Sequence, residues 1–491
     1  MSDFLAGDVA AAVGGSLLSG AANRVLHGVS TDTRAIASGQ LFLALSGPNF
    51  DGNAFAAKAI EAGAGGVLVR GGPDGVDGID DATRAAMAAG DLAVITHPDP
   101  RRALAQLAGW YRRRLGLPVI GITGSCGKTT TKDYLVQLLG RVRRVVGSPR
   151  SFNNDVGVPL TLLAADGATE ALVAEIGTSG AGEIERLCRI ATPDIGVVTN
   201  IGASHLEGLG SLEGVAAEKS ALATCLPADG FLVLNADCRF HELFRGATRA
   251  RVLTFSIEGT GDLNATDLVF DGGRSVVQLD GHEVCLPALG THNVQNLLAA
   301  LAVCVGLGHS LEDVLPGVAE ISGQSGRLES FELEGLRLVD DSYNANPTSA
   351  RAAVRVLAGM HGHDRRVLIL GDMLELGEFA AELHHEVGRA AAEAGIDRLI
   401  LIGDLTRAAA AGALEGGMGP SQVLHFASRD EAEAGLFNLV GVGDVVLVKG
   451  SRGMALERIV GSLRTRFAKG ASHAGGGTDV AMACYAGWEV R

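Results

Sequence analysis

Short apolar runs alternate with Ala-rich amphipathic stretches along most of this 491-residue chain. In residues 1 to 113 the runs Gln40 to Leu45 and Gly66 to Val69 predict strands, and Ala54 to Ala62 predicts a helix between them. A second series follows Pro118: Val119 to Ile122, Ala171 to Ile176, Ile195 to Thr199 and Phe231 to Asn235. These runs are apolar throughout, as expected of parallel strands covered on both faces. A third series follows Arg327, with Leu336 to Val339, Arg366 to Leu370, Arg398 to Ile402 and Val445 to Val448. The pattern predicts an α/β protein of three domains: a small α/β unit at 1–113, a central parallel-sheet ATPase-like unit at 114–325, and a Rossmann-like unit at 326–470. Residues 471–491, with Gly475-Gly-Gly477, carry no periodicity and read as a loose tail.

One strand-to-helix junction carries specific chemistry. In Ile120-Gly-Ile-Thr-Gly-Ser-Cys-Gly-Lys-Thr-Thr-Thr-Lys132 a buried strand turns through glycines into a helix. Gly124 and Gly127 allow the turn, and the N–H groups from Gly124 through Ser125, Cys126, Gly127 and Thr130 can face an anion. Lys128 adds positive charge, and Thr129 offers a hydroxyl to Mg²⁺. The loop is one residue shorter than the usual phosphate-binding loop, with Ile122 where a glycine is customary. A nucleoside triphosphate such as ATP is the expected ligand.

Composition narrows the setting. Forty-one Lys plus Arg against 56 Asp plus Glu give a net charge of −15, which argues against nucleic acid and anionic membranes as partners. No apolar run approaches the ~18 residues of a membrane span, and the first basic residue is Arg24, so a cytoplasmic protein without membrane insertion is expected. Seven cysteines form no Cys-x-x-Cys pair, as in a reducing compartment.

Polar residues cluster where the sheets should end. Glu175 closes an apolar strand, where a carboxylate needs a cation. His205 follows the next strand; on chemistry alone it is a satisfied loop histidine, because Mg²⁺ prefers oxygen. Lys219 reads as a solvated helix lysine, and Asn296 and Asp341 as helix-start or turn residues.

The order of these motifs resembles the Mur ligases over nearly the whole chain. Ser30-Thr-Asp-Thr-Arg34, Gly47-Pro-Asn-Phe-Asp-Gly52, the shortened cradle Thr123 to Thr130, Phe152 to Pro159, Thr291 to Asn296 and Gly326-Arg-Leu-Glu329 carry it. Asp340-Asp-Ser-Tyr-Asn-Ala-Asn-Pro347, Leu370 to Gly377 and Lys449-Gly-Ser-Arg-Gly-Met454 extend it through the last domain. The last-domain motifs favour the branch that joins D-alanyl-D-alanine to UDP-N-acetylmuramoyl-tripeptide. The resemblance implies ATP-driven amide formation through an acyl phosphate. It gives catalytic roles to Lys128, Lys219, His205 and Arg327, and places Mg²⁺ on Thr129, Glu175, His205 and Lys219, the last as a carbamate. It assigns Asn296 to adenine and Asp341 to ribose. Substrate contacts would come from Thr33, Arg34, Asn49 and Asp51 on the UDP end, from Asn153 and Asn154, and from Tyr343, Asn344, Asn346, Ser451 and Arg452. A turn-rich loop would use Thr, Asn and Asp at the UDP-end positions in any case. A single chain, acting as a monomer, is expected. The competing readings are a sister ligase adding one amino acid, whose usual Asp-Asn-Pro-Arg motif is missing here, and a nucleotide-hydrolysing switch.

Overall fold

A computed structural model describes residues 2–47, 50–77, 81–88, 92–271 and 273–467. Asn49 and the predicted tail at 471–491 lie outside the described residues. Three sheets form. The first has the path Ser16–Ser19, Ala93–His97, Gly66–Gly72, Leu41–Leu43, Val29–Ser30, parallel except for its first pair. The last runs Glu329–Leu333, Leu336–Asp341, Asp444–Lys449, Arg365–Gly371, Arg398–Ile402, Val423–Phe426, parallel beyond the first hairpin.

The central sheet has nine strands, and its order positions the cradle. Val119–Thr123 lies between Ala171–Glu175 and Ile195–Val198, all parallel, so chain connections leave it in opposite directions. Such a switch point opens a crevice at the carboxyl ends of the strands. Arg251–Ser256, which the apolar-run pattern did not single out, pairs parallel with Phe231–Asn235. Beyond it Leu263–Asp271, Arg274–Leu279 and His282–Leu286 add an antiparallel meander that the apolar-run pattern did not predict. Burial alternates along Arg274–Leu279 and His282–Leu286, and Leu263–Asp271 exposes Val269 and Phe270, so these strands are not continuous buried apolar runs.

The helix Thr291–Gly306, apolar on most of its surface, fills the core between the helix Lys128–Leu139 and the sheet. A second core is shared by the first and central domains: Phe4, Leu104 and Leu107 join Val158, Leu162 and Ile184. At that junction the buried Arg112 donates to Asp194 Oδ2 (2.8 Å), Ala191 O (2.9 Å) and Thr192 O (2.9 Å). Asp194 also accepts from Val119 N at 2.7 Å, which ties the first domain to the base of the cradle strand. Arg112→Ala is therefore expected to destabilise the protein by about 2 kcal/mol, since four acceptors, Leu115 O (3.2 Å) included, lose a donor while half-open Asp194 can recruit water. Denaturant titration checks this, and an unchanged midpoint would deny Arg112 that role.

Candidate functional site

The turn after Val119–Thr123 demands glycine twice. Gly124 (φ 148°) and Gly127 (φ 82°) both hold backbone conformations that side chains rarely adopt. A Cβ on Gly124 would lie 1.9 Å from Thr199 Oγ1, and one on Gly127 2.2 Å from Asn296 Oδ1. The loop is fixed from outside: Ser125 N donates to Asn200 O (3.0 Å), Cys126 N to Asn200 Oδ1 (2.9 Å) and Ser125 Oγ to Gly202 O (2.9 Å). Lys128 folds back so that Nζ donates to Gly124 O at 2.7 Å. Burial pushes its pKa down and Arg327 adds to this, while Glu175 opposes the shift.

Beside the cradle three groups converge on the Thr129 hydroxyl, and a fourth holds the carboxylate among them. Thr129 Oγ1 donates to Glu175 Oε2 at 2.8 Å, Arg327 Nη2 donates to Thr129 Oγ1 at 3.0 Å, and Ser151 Oγ lies 3.1 Å from Thr129 Oγ1. Asn153 Nδ2 donates to the other Glu175 oxygen at 2.8 Å. Arg327 comes from the start of the last domain, stacks 4.4 Å over the Tyr343 ring, and leaves its buried Nε without a partner. Ser151 is absent from the residues expected of this site. It is held there by Lys132, whose buried ammonium donates to Ser148 O (2.7 Å) and Arg150 O (2.5 Å).

A cavity of about 1190 Å³ opens over this cluster, lined from all three domains. Arg101 reaches it from the first domain, Lys128, Asn154, His205 and Asn296 from the centre, and Asp341, Tyr343, Asn344, Asn346 and Arg452 from the last. Asn346 Nδ2 donates to Ser125 O (3.3 Å) while its Oδ1 accepts from Ser349 N (2.9 Å), so it caps the helix Pro347–Ala358 and touches the cradle. Asp341 pairs with Lys449 Nζ at 2.6 Å; burial pushes its pKa up and Lys449 opposes this. His292, also on the cavity wall, is pushed down to about 4 by burial and by Lys449 and Arg355.

Other expected residues lie elsewhere. Ser451 is buried behind the wall, where Oγ donates to Ala345 O (3.1 Å) and accepts from Leu374 N (2.9 Å). Asn154 is on the cavity wall, but its Oδ1 is taken up locally, accepting from Gly157 N (2.9 Å) at a helix start. Thr33, Arg34 and Asp51 are on the first domain and do not line the cavity. Asp51 accepts from Asn53 N (3.1 Å) and from Arg70 Nη2 (2.6 Å). Lys219 is fully buried on the helix Leu212–Cys225, its Nζ has no hydrogen-bond partner, and burial with the opposing charge of Lys128 holds its pKa well below the lysine range. The adjacent Glu218 caps the helix Glu183–Ala191, accepting from Gly182 N (2.7 Å) and Ile184 N (2.8 Å).

The oxygen donors fit Mg²⁺. Thr129 and Glu175 offer a hydroxyl and a carboxylate in contact, and among the described residues no group of three His, Cys, Asp or Glu side chains could hold a metal alone. An ion that keeps water and takes phosphate oxygens suits a partial set of this kind.

Family models match in three consecutive pieces: Mur ligase family, catalytic domain over residues 25–112, Mur ligase middle domain over 122–304, and Mur ligase, glutamate ligase domain over 326–452. A UDP-N-acetylmuramoyl-tripeptide–D-alanyl-D-alanine ligase of Bacillus subtilis is 37% identical over 443 residues, 89% of this chain and 93% of its own. This chain belongs to the Mur ligase family. The Escherichia coli Mur ligase of the same name is 36% identical, with 90% and 95% covered. The crystal structure of MurF from Acinetobacter baumannii superposes with a TM-score of 0.82 at 32% identity, covering 95% of this chain and 99% of that one. That of MurF ligase from Thermotoga maritima in complex with ADP gives 0.76 at 26% identity, covering 91% and 99%. Among the described residues of this Mur ligase no helix is long and apolar enough to cross a membrane.

Proposed function

We propose that this protein is an ATP-dependent ligase that joins D-alanyl-D-alanine to UDP-N-acetylmuramoyl-tripeptide, the activity named for relatives that match 89% and 90% of this chain. The observation that carries the reading is the contact of Arg327 with Thr129 and, through it, Glu175: a cation from one domain reaches the triphosphate end of a cradle built by another. An enzyme that only bound nucleotide would not require a second domain to complete that cluster.

The chemistry has two steps. A terminal carboxylate oxygen of the tripeptide bonds to the γ-phosphorus as the bond to the β-phosphate oxygen breaks, giving an acyl phosphate and ADP. The dipeptide amine then bonds to the acyl carbon, phosphate leaves and the nitrogen loses a proton. Phosphoryl transfer of this type depends on positioning and charge neutralisation. Lys128 swings from Gly124 O to the β- and γ-phosphates, and Arg327, braced on Tyr343, neutralises charge that develops between them. Thr129 and Glu175 would hold Mg²⁺, which draws charge from the phosphate oxygens. His205 and a carbamylated Lys219 complete the proposed metal surroundings, with Asn296 against adenine and Asp341 against ribose. Asn153, Asn154, Tyr343, Asn344, Asn346 and Arg452 serve the acceptor and amine, Ser451 acts from behind the wall through Ala345, and Thr33, Arg34 and Asp51 serve the UDP end. Closure over the cavity keeps water from the acyl phosphate. One chain supplies every group, so a monomer in the cytoplasm suffices.

Phosphate release measured with ATP, Mg²⁺ and UDP-muramoyl-tripeptide tests the proposal. Release is expected only when D-alanyl-D-alanine is added. Release with a single amino acid in its place would reassign the chain to a sister ligase, and release with no amine would make it a hydrolysing switch.

A further inference from the structure

Two non-glycine residues in the left-handed backbone region meet across the boundary of the central and last domains. His205 has φ 53° and Glu375 φ 62°, and His205 Nδ1 lies 2.6 Å from Glu375 Oε2. Each such conformation costs roughly 1 kcal/mol and persists where surrounding structure enforces it, commonly at functional positions. A carboxylate only accepts, so the Nδ1–H donates and a neutral ring keeps its lone pair on Nε2. An exposed ion pair alone would be worth little. This one sits on a built junction. Glu207 N donates to Glu375 O at 3.3 Å, and Ala203, Leu206 and Val215 of the central domain pack with Phe379 and Leu383 of the last. The Glu375 loop also connects to the cradle: Leu374 N donates to Ser451 Oγ, Ser451 Oγ to Ala345 O, and the neighbouring Asn346 to Ser125 O.

We propose that Glu375 is a positioning residue, a latch through which the last domain docks on the central one and fixes the His205 ring. The strain at both ends makes the contact conditional on docking. Separated from its partner, neither residue keeps a reason to hold that backbone conformation, so His205 takes its working orientation only when Arg327 has also been delivered to Thr129.

The kinetic part of the test rests on the ligase reading, whereas the structural part does not. With one fluorophore on each of the two domains, and neither acceptor nor dipeptide present, Glu375→Ala is expected to lengthen or broaden the distance distribution in the full-length protein. In the ligation assay it should lower kcat/KM for the dipeptide by about tenfold or more, as loss of a ligand-orienting carboxylate does. Glu375→Gln, which keeps an acceptor oxygen, should recover most of both. His205→Ala combined with Glu375→Ala should be no worse than His205→Ala alone. The latch is overturned if Glu375→Ala leaves the distances unchanged, or if the two alanine substitutions multiply independently. Absence of ligation by the unaltered protein would instead sink the ligase reading, with the distance measurement still deciding the latch.

Discussion

Lys128→Ala is expected to lower turnover by about a thousandfold while weakening nucleotide binding far less. Removing one preorganised group that stabilises developing charge costs roughly 10²–10³ in rate, and Lys128 carries a full charge in a partly buried site. Binding is spared because the N–H groups of the Gly124–Gly127 turn and the start of the helix Lys128–Leu139 remain to cradle phosphate. A related expectation follows from its lowered pKa. In the free protein a fraction of Lys128 is neutral above that lowered value. A triphosphate favours the ammonium, so nucleotide binding should take up protons, and the uptake should vanish as pH falls below the lowered value. Calorimetry in buffers of different ionisation enthalpy reads this, and phosphate release reads the turnover. Near-normal turnover of the variant would remove Lys128 from the mechanism.

The parts of this site that were legible from sequence are those whose residue types have few other uses. Gly124, Gly127, Lys128 and Thr129 stand at offsets that a phosphate cradle requires, and the structure shows why the glycines are obligatory: Thr199 and Asn296 occupy the space a side chain would need. Glu175 was legible for a different reason, as a carboxylate closing an apolar strand. Ser151 was not, because a serine in a polar loop has no distinguishing pattern; it is placed by Lys132, whose own burial is invisible before the helix is packed. Glu375 likewise gains meaning only when two domains meet. The well-buried parallel strands of the central and last sheets were readable because they are apolar on both faces, whereas the partly buried Val145–Gly147, Arg251–Ser256 and Val423–Phe426 were not, nor was the meander, where Arg274–Leu279 and His282–Leu286 alternate and Leu263–Asp271 exposes Val269 and Phe270. Several resemblance-derived residues also do plain structural work. Asp51, Asn154 and Asn346 each accept from a backbone N–H at a helix or turn start, a role their residue types favour anywhere.

Lys219→Ala is expected to lower turnover by about a hundredfold or more, a loss that small carboxylates added to the buffer should partly restore. The argument starts from an imbalance. Lys219 is fully buried, its Nζ has no partner, and the opposing ammonium of Lys128 acts on it from nearby. A bare buried ammonium in that position would cost several kcal/mol, so burial and the nearby Lys128 favour the neutral amine. A neutral amine is a nucleophile. Its lone pair would bond to the carbon of CO₂, one C–O electron pair would move onto oxygen and a proton would leave the nitrogen, to yield a carbamate. The modification would replace an amine that cannot easily carry charge beside Lys128 with an anion that Lys128 attracts and that offers oxygen to Mg²⁺. Arg or Gln at 219 therefore should not substitute, because neither can carry the group. Carbon-13 NMR of protein equilibrated with labelled CO₂ should show a carbamate signal that is absent from Lys219→Ala. If full turnover persisted in carbonate-free buffer with no such signal, Lys219 would be a buried neutral amine and nothing more.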